Sequence, residues 1–174
     1  MNTKEDIEPI KQELEKRFET VGSCSLDAEG ASVRKIIQDS IDQSAKHVVA
    51  AWESLPDIIG HVKIQKPLPV REEKTIIVRI VDGVPELKDI YTLKRYSEVL
   101  SPNYAFLVTK KPFDDLTRNY LEHHPHILHF LRKESGALSA GIPIVLMTWD
   151  GKSSLELDYT VGIKDPFDPK HMWQ

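Results

Sequence analysis

Histidines are concentrated in one short stretch of this 174-residue chain, where four of the seven stand at positions 123, 124, 126 and 129. His126 and His129 are three residues apart, a spacing that places two side chains on the same face of a helix. Because imidazole is a common zinc ligand, these two residues could bind zinc together with Glu122 or His171. A structural zinc site, however, needs ligands from separate elements, and the sequence offers no second cluster. We therefore interpret the stretch from His123 as a solvated, pH-sensitive helix edge and predict no metal site.

A pair of carboxylates, Glu156 and Asp158, lies in an apolar, β-favouring segment over residues 155–163. Side chains two residues apart on a strand point to the same face of the sheet, so both carboxylates would face the same way. Two such groups could attract a cationic ligand or act in acid–base catalysis. They could equally form the solvent-facing side of the strand, with Leu155 and Leu157 facing the core.

No other stretch carries a recognised catalytic signature. The sequence contains neither a glycine-rich phosphate loop nor a nucleophile elbow. Cys24 is the single cysteine, so an internal disulfide is excluded, and we interpret this residue as structural and not as a redox thiol. We therefore predict no catalytic residue and no cofactor.

The composition is that of an ordinary globular domain, with 40% hydrophobic and 29% charged residues and a formal net charge of -4. A nucleic-acid-binding protein usually has a basic excess, and no run of Lys or Arg here exceeds two residues, which argues against direct nucleic-acid binding. The N-terminus has no apolar signal-peptide core, and no apolar run approaches the ~20 residues that a membrane span requires. These features predict a cytoplasmic protein without membrane contact.

The elements that must position these residues follow from apolar spacing and from turn residues. Ile10, Leu14 and Phe18 recur at four-residue steps and predict an N-terminal helix. A second helix is predicted over residues 32–54, and a third over 114–134, where Pro125 either kinks the helix or starts a new one. Asp150 and Gly151 predict a hairpin. Strands are predicted over 21–26 (weak), 58–64, 75–81, 90–100, 104–109, 142–148 and 155–163.

This order corresponds to two successive β-α-β-β units after an extra N-terminal helix. Two such units predict an α+β domain, with an antiparallel sheet covered on one face by helices. We place an N-terminal helical extension at residues 1–19, the α+β domain at 20–164 and a C-terminal tail at 165–174.

Four short motifs in the second unit resemble the GyrI-like family, which includes the effector-binding domains of multidrug-responsive transcription regulators. They are Asn103-Tyr-Ala-Phe-Leu-Val-Thr109, Pro112-Phe-Asp-Asp-Leu116, Gly141-Ile-Pro-Ile-Val-Leu146 and Leu155-Glu-Leu-Asp-Tyr-Thr-Val-Gly-Ile163. The resemblance covers roughly sixty residues and rests on hydrophobic patterns with a few punctuating residues. The first half of the chain fits the family more loosely.

The resemblance implies two repeats that frame a cleft for amphipathic, often cationic, small molecules. It places a ligand-binding carboxylate on the last strand, which corresponds to Asp158, with Glu156 on the same face. Tyr104 and Trp149 are the aromatic residues expected to form the walls of this cleft, where a cation would gain about 0.5–2 kcal/mol from each favourable ring contact.

We therefore expect a stand-alone domain that binds an amphipathic or cationic ligand or modulates a protein partner. One alternative is a protein–protein interaction or inhibitor module without a ligand. A second alternative is a hydrolase that uses Glu156 or Asp158 as a base. The sequence does not predict the oligomeric state.

Overall fold

The computed structural model describes residues 3–28, 30–41, 43–52, 54–64, 72–131, 141–158 and 165–168. Its helices are α1 (Thr3–Phe18), α2 (Gly30–Ser40), α3 (Gln43–Ala50), α4 (Leu87–Leu100) and α5 (Asp115–His123), and a 3-10 turn spans Pro125–Leu128. Its strands are β1 (Gly22–Asp27), β2 (Ile58–Ile64), β3 (Glu72–Val81), β4 (Tyr104–Thr109), β5 (His129–Leu131), β6 (Gly141–Trp149) and β7 (Leu155–Leu157).

The described strands form one mixed sheet in the order β1-β2-β3-β4-β6, with β5 and β7 both pairing with β6. Strands β1, β2 and β3 are antiparallel, whereas β3, β4 and β6 run parallel. The predicted α+β class with an additional N-terminal helix is confirmed. The strand pairing differs from the expected antiparallel sheet of two β-α-β-β repeats, because its centre is parallel.

The reason for the parallel centre is helix α4. Residues 90–100 were predicted as a strand, and this prediction is wrong, because the segment is helical and crosses over between β3 and β4. Parallel neighbours require such a crossover, whereas a strand at this place would have allowed antiparallel pairing. Ile90, Leu93 and Tyr96 are completely buried, and their three-residue spacing is that of one helix face.

Helices cover both faces of the sheet, and not one face as expected. On one face, Ile10, Leu14 and Phe18 of α1 pack on the strands and form what we call the α1 core. On the other face, residues of α2, α3, α4 and α5 form a second core. Consecutive residues of a strand therefore are buried on opposite sides, which explains the uninterrupted apolar run 76–78 in β3.

Polar contacts hold α1 at the carboxyl ends of the parallel strands. The Lys110 ammonium group after β4 lies 2.5 Å from a carboxylate oxygen of Asp6 and 2.6 Å from one of Asp82. The indole N–H of Trp149 donates to Asp6 over 3.2 Å. The N-terminal helix is thus bonded directly to the ends of β4 and β6, and through Lys110 to the end of β3, and it is part of the packed domain.

Local structure follows the expected pattern at β1, at Pro125 and at the hairpin, but not over residues 32–54. The weak strand is present as β1, and the chain restarts at Pro125 in a 3-10 turn after α5 ends. The hairpin at Asp150 is present, with Gly151 at φ 79° in the left-handed region. The single helix predicted over 32–54 is instead two helices, α2 and α3. The predicted last strand is described only as β7 and Asp158, since residues 159–163 lie outside the described residues.

Gly60 in β2 allows β1 to approach closely. A Cβ atom at residue 60 would overlap the carbonyl oxygen of Ser25. We expect Gly60→Ala to lower the free energy of unfolding by about 2–3 kcal/mol, because the overlap is with backbone atoms and β1 itself must move to relieve it. Urea unfolding measures the change. The control is Gly83→Ala, since a Cβ there meets no atom within 4 Å, and an equal loss in both variants would contradict the prediction.

Candidate functional site

The antiparallel strands carry polar side chains on the face that α2 only partly covers. Leu26, Val62 and Ile76 belong to the α1 core, so their chain neighbours point to the opposite face. The register places Ser25 opposite His61, and His61 opposite Thr75. A row of hydrogen-bonding side chains therefore crosses three adjacent strands. We call this arrangement the polar row.

Two contacts organise this face. The Nδ1 atom of His61 lies 3.4 Å from the hydroxyl oxygen of Thr75. One step along the strands, the Lys63 ammonium group lies 3.9 Å from a carboxylate oxygen of Glu73. Both side chains of this ion pair are more than half exposed, so the pair contributes little stability. Both remain accessible to a ligand.

His61, Lys63 and Glu73 line an open cleft of about 330 Å³, which we call the β1–β3 cleft, whereas Thr75 is not part of its lining. Ile36 of α2 supplies an apolar wall, and Gly60 leaves room in the floor. The lining residues are Ser23, Cys24, Ser25, Leu26, Asp27, Ile36, Gly60, His61, Lys63 and Glu73. Two carboxylates and one ammonium group give this lining a formal charge of -1 with neutral histidine. The volume lies at the lower end of the range typical of small-molecule sites.

His61 is positioned in the β1–β3 cleft by a hydroxyl group. In a nucleophilic triad, a carboxylate orients the histidine and stabilises its protonated form. Among the hydrogen bonds of the described residues, the partner of His61 is the Thr75 hydroxyl and not a carboxylate. A hydroxyl partner can orient the imidazole ring, because it can donate to or accept from Nδ1. His61 is therefore placed to bond a polar ligand.

Cys24 lies on a strand that borders the cleft, but its unreactive thiol packs against the α1 core on the other face. Burial raises its pKa to about 12, and the nearby carboxylates of Glu15 and Glu19 act in the same direction. Because the thiolate is the reactive form, the side chain stays protonated and inert at neutral pH. This agrees with the structural role expected from the sequence.

Two of the four predicted ligand-binding residues lie in the α1 core. Trp149 is 2% exposed, and its indole is bonded to Asp6. Tyr104 is half-buried, with its ring centroid 5.5 Å from that of Phe18. The ammonium group of Lys74 lies 5.9 Å from the centre of the Tyr104 ring. These two aromatic residues serve packing between α1 and the sheet.

The two predicted carboxylates lie on the last strand and just after it. Leu155 and Leu157 pack on the α1 core, so Glu156 between them points to the opposite face, where it is exposed. The half-buried Asp158 follows β7, and its backbone N–H donates to the carbonyl oxygen of Leu146 over 2.9 Å. The sheet therefore separates Glu156 from Tyr104 and Trp149. The β1–β3 cleft is lined by none of these four residues.

The histidine cluster lies on the surface near α5. The Nδ1 atoms of His123 and His129 lie 2.8 Å and 2.9 Å from the backbone carbonyl oxygens of Asn119 and Pro125, respectively. These contacts tie each ring to its own segment. Within the described ranges, no group of three His, Cys, Asp or Glu residues is arranged to hold a metal ion. His171 lies outside those ranges.

Sequence reasoning missed the β1–β3 cleft, although part of its signal was visible. Ser23, Ser25 and Asp27 alternate with less polar residues, and so do His61 and Lys63. Such alternation is typical of a strand with one polar face. What the sequence did not show was the register that brings these two segments side by side.

A scan against protein-family models and searches of curated proteins and of solved structures found no match for this chain. Among the described helices, none combines the length and the apolar composition needed to cross a membrane. The site is therefore interpreted from its own geometry.

Proposed function

We propose that this protein is a small-molecule-binding domain and that its ligand occupies the β1–β3 cleft. The observation that carries the proposal is the lining of this open cleft, since Ser25, His61 and Glu73 bring polar side chains from three adjacent strands to it. Side chains on paired strands are held in fixed relative positions, which reduces the entropy lost when a ligand is bound.

Charge and shape favour an amphipathic cation with hydrogen-bonding groups. Asp27 is a carboxylate at the edge of the cleft. Among the described residues it forms no salt bridge within 4 Å, although its charge helps to raise the pKa of Lys11 on α1. Glu73 adds a second carboxylate that Lys63 only partly neutralises at 3.9 Å. Ile36 offers an apolar contact on the other side. A ligand with an ammonium group and a compact apolar part would match both features.

This proposal keeps the ligand class expected from the sequence but moves the site. Membership of the GyrI-like family stays a prediction, and the lining of the β1–β3 cleft supports a ligand site without it. Asp158 remains the competing carboxylate, because the family resemblance selects it. A direct comparison of Asp27 and Asp158 therefore separates the two sites.

The experiment is a thermal-shift screen with amphipathic cations such as benzyltrimethylammonium and ethidium. A ligand in the β1–β3 cleft should raise Tm in the wild type, and Asp27→Asn and His61→Ala should reduce the rise at least severalfold. Asp158→Asn is the matched control, since it removes the same charge on another part of the sheet. It should leave the rise unchanged.

The outcome decides between the sites. Loss of the rise in Asp158→Asn with an intact response in Asp27→Asn would return the site to the last strand. An equal rise in all variants would contradict both sites and indicate unspecific binding of the cations.

A second candidate function is interaction with a protein partner, and the exposed face of α5 favours it. Leu116 is 85% exposed and Tyr120 is 42% exposed, and these residues lie one helical turn apart. Exposed apolar side chains at this spacing are typical of a helix that docks against another protein. If no cation raises Tm, this face becomes the leading candidate.

A further inference from the structure

A second, smaller cavity lies between α2 and α3. We call it the α2–α3 slot. It has a volume of about 90 Å³ and is lined by Arg34, Ile37, Gln38, Ile41, Lys46, Val49, Ala50 and Leu55. Ile37 and Val49 are buried parts of the second core, and Ile41 and Leu55 pack against that core. The floor of the slot is therefore apolar and continuous with the domain interior.

Two cations stand at the mouth of this apolar slot. Arg34 on α2 and Lys46 on α3 are both exposed and both line it. Within the part of the chain that the structure describes, neither side chain forms an ion pair. Gln38 adds an amide that can donate a hydrogen bond. Positive charge at the opening and hydrocarbon below it form the complement of an amphipathic anion.

We propose that the α2–α3 slot binds a small amphipathic anion, a carboxylate attached to a compact ring or a short branched chain. The apolar group would pack against Ile41 and Leu55, above the fully buried Ile37. The carboxylate would remain at the mouth with Arg34 and Lys46. Arginine pairs well with a carboxylate because its guanidinium can donate two parallel hydrogen bonds. The small volume excludes long acyl chains and ligands of drug size.

This site is independent of the β1–β3 cleft. Ile36 faces the cleft and Ile37 faces the slot, so α2 stands between two cavities of opposite charge preference. A cation bound in one and an anion bound in the other would make different contacts. Failure of either proposal leaves the other unaffected.

The test is an NMR titration of the full chain with benzoate, followed through the backbone amides of α2 and α3. We expect saturable shift changes confined to these helices. The double variant Arg34→Gln, Lys46→Gln should bind benzoate at least tenfold more weakly. Lys111→Gln, which removes an exposed charge outside the slot lining, should bind it as the wild type does. Benzyl alcohol has the same ring without the charge, and it should bind the wild type at least tenfold more weakly than benzoate does.

A filling variant separates the slot from the surface charge. Ala50 is exposed and lines the slot, so Ala50→Leu can occupy it without disturbing the buried core. We expect this variant to lose benzoate binding while its circular dichroism spectrum stays unchanged. Wild-type binding in either Ala50→Leu or the double variant would overturn the proposal. So would the absence of saturable shifts in α2 and α3 at the solubility limit of benzoate.

Discussion

Phe18→Ala is expected to lower the free energy of unfolding by about 3–5 kcal/mol, the cost typical of removing a buried aromatic ring. Phe18 has no exposed surface. Its ring centroid lies 5.5 Å from that of Tyr104, 6.0 Å from that of Phe106 and 5.0 Å from that of Phe167. The substitution would leave a cavity where α1, β4 and the segment 165–168 meet.

Urea unfolding, followed by circular dichroism, measures this loss. Leu116→Ala is the control, because it also removes a large apolar side chain, but one that is 85% exposed. It should change stability by no more than about 0.5 kcal/mol. A similarly small change in Phe18→Ala would mean that α1 is docked only loosely, contrary to its complete burial.

The second large effect is expected at the ion pair between Asp57 and Arg79. A guanidinium nitrogen of Arg79 lies 3.2 Å from a carboxylate oxygen of Asp57, and the same oxygen accepts the Ile80 N–H over 2.8 Å. The Asp57 side chain is only 18% exposed and the Arg79 side chain only 25%. Asp57→Ala removes the acceptor of both the Ile80 N–H and the partly buried Arg79 guanidinium, and we expect a loss of about 2–3 kcal/mol.

A double-mutant cycle with Arg79→Met tests whether the loss comes from the pair. If each single variant loses stability because its partner charge is left unpaired, the double variant should lose clearly less than the two single losses together. Additive losses would show that the two residues contribute through separate contacts. Chemical unfolding of the four proteins under identical conditions supplies the comparison.

The same pair has a defined pH dependence. Burial raises the pKa of Asp57 above its ordinary 3.8, although the hydrogen bond from Ile80 and the charge of Arg79 lower it in part. The folded state therefore holds the Asp57 proton more tightly than the unfolded state does. Ionised Asp57 costs stability above its folded pKa, and this cost disappears as the pH falls toward 3.8. Over that range the wild type should gain stability relative to Asp57→Ala, which has no titrating group at this position.

Local sequence patterns predicted the single elements better than their pairing. The β-branched and aromatic run that forms β4 was recognisable because it is buried on both sides. The segment of α4 was mistaken for a strand because Ile90, Tyr91 and Thr92 favour β structure. The helical signal was the start of α4, where Glu86 and Asp89 form a reciprocal capping box.

The candidate site was harder to predict because it depends on contacts distant in the chain. His61 lies next to Ser25 only because β2 pairs with β1 after two intervening helices. Asp158 and Trp149 were grouped by a family resemblance, whereas strand alternation places Trp149 with the α1 core. Faces of a sheet follow from register, and register is set by the whole fold.

The strand arrangement at the two borders of the sheet has a consequence for self-association. The outer side of β6 is occupied by two three-residue strands, with β5 at one end and β7 at the other. At the opposite border, the backbone N–H of Leu26 in β1 donates to the Glu15 carboxylate over 2.8 Å. Short strands and an occupied backbone donor offer a poorer template for a strand from another molecule than a long free edge does. Within the described residues, these features reduce the tendency to edge-to-edge aggregation at both borders.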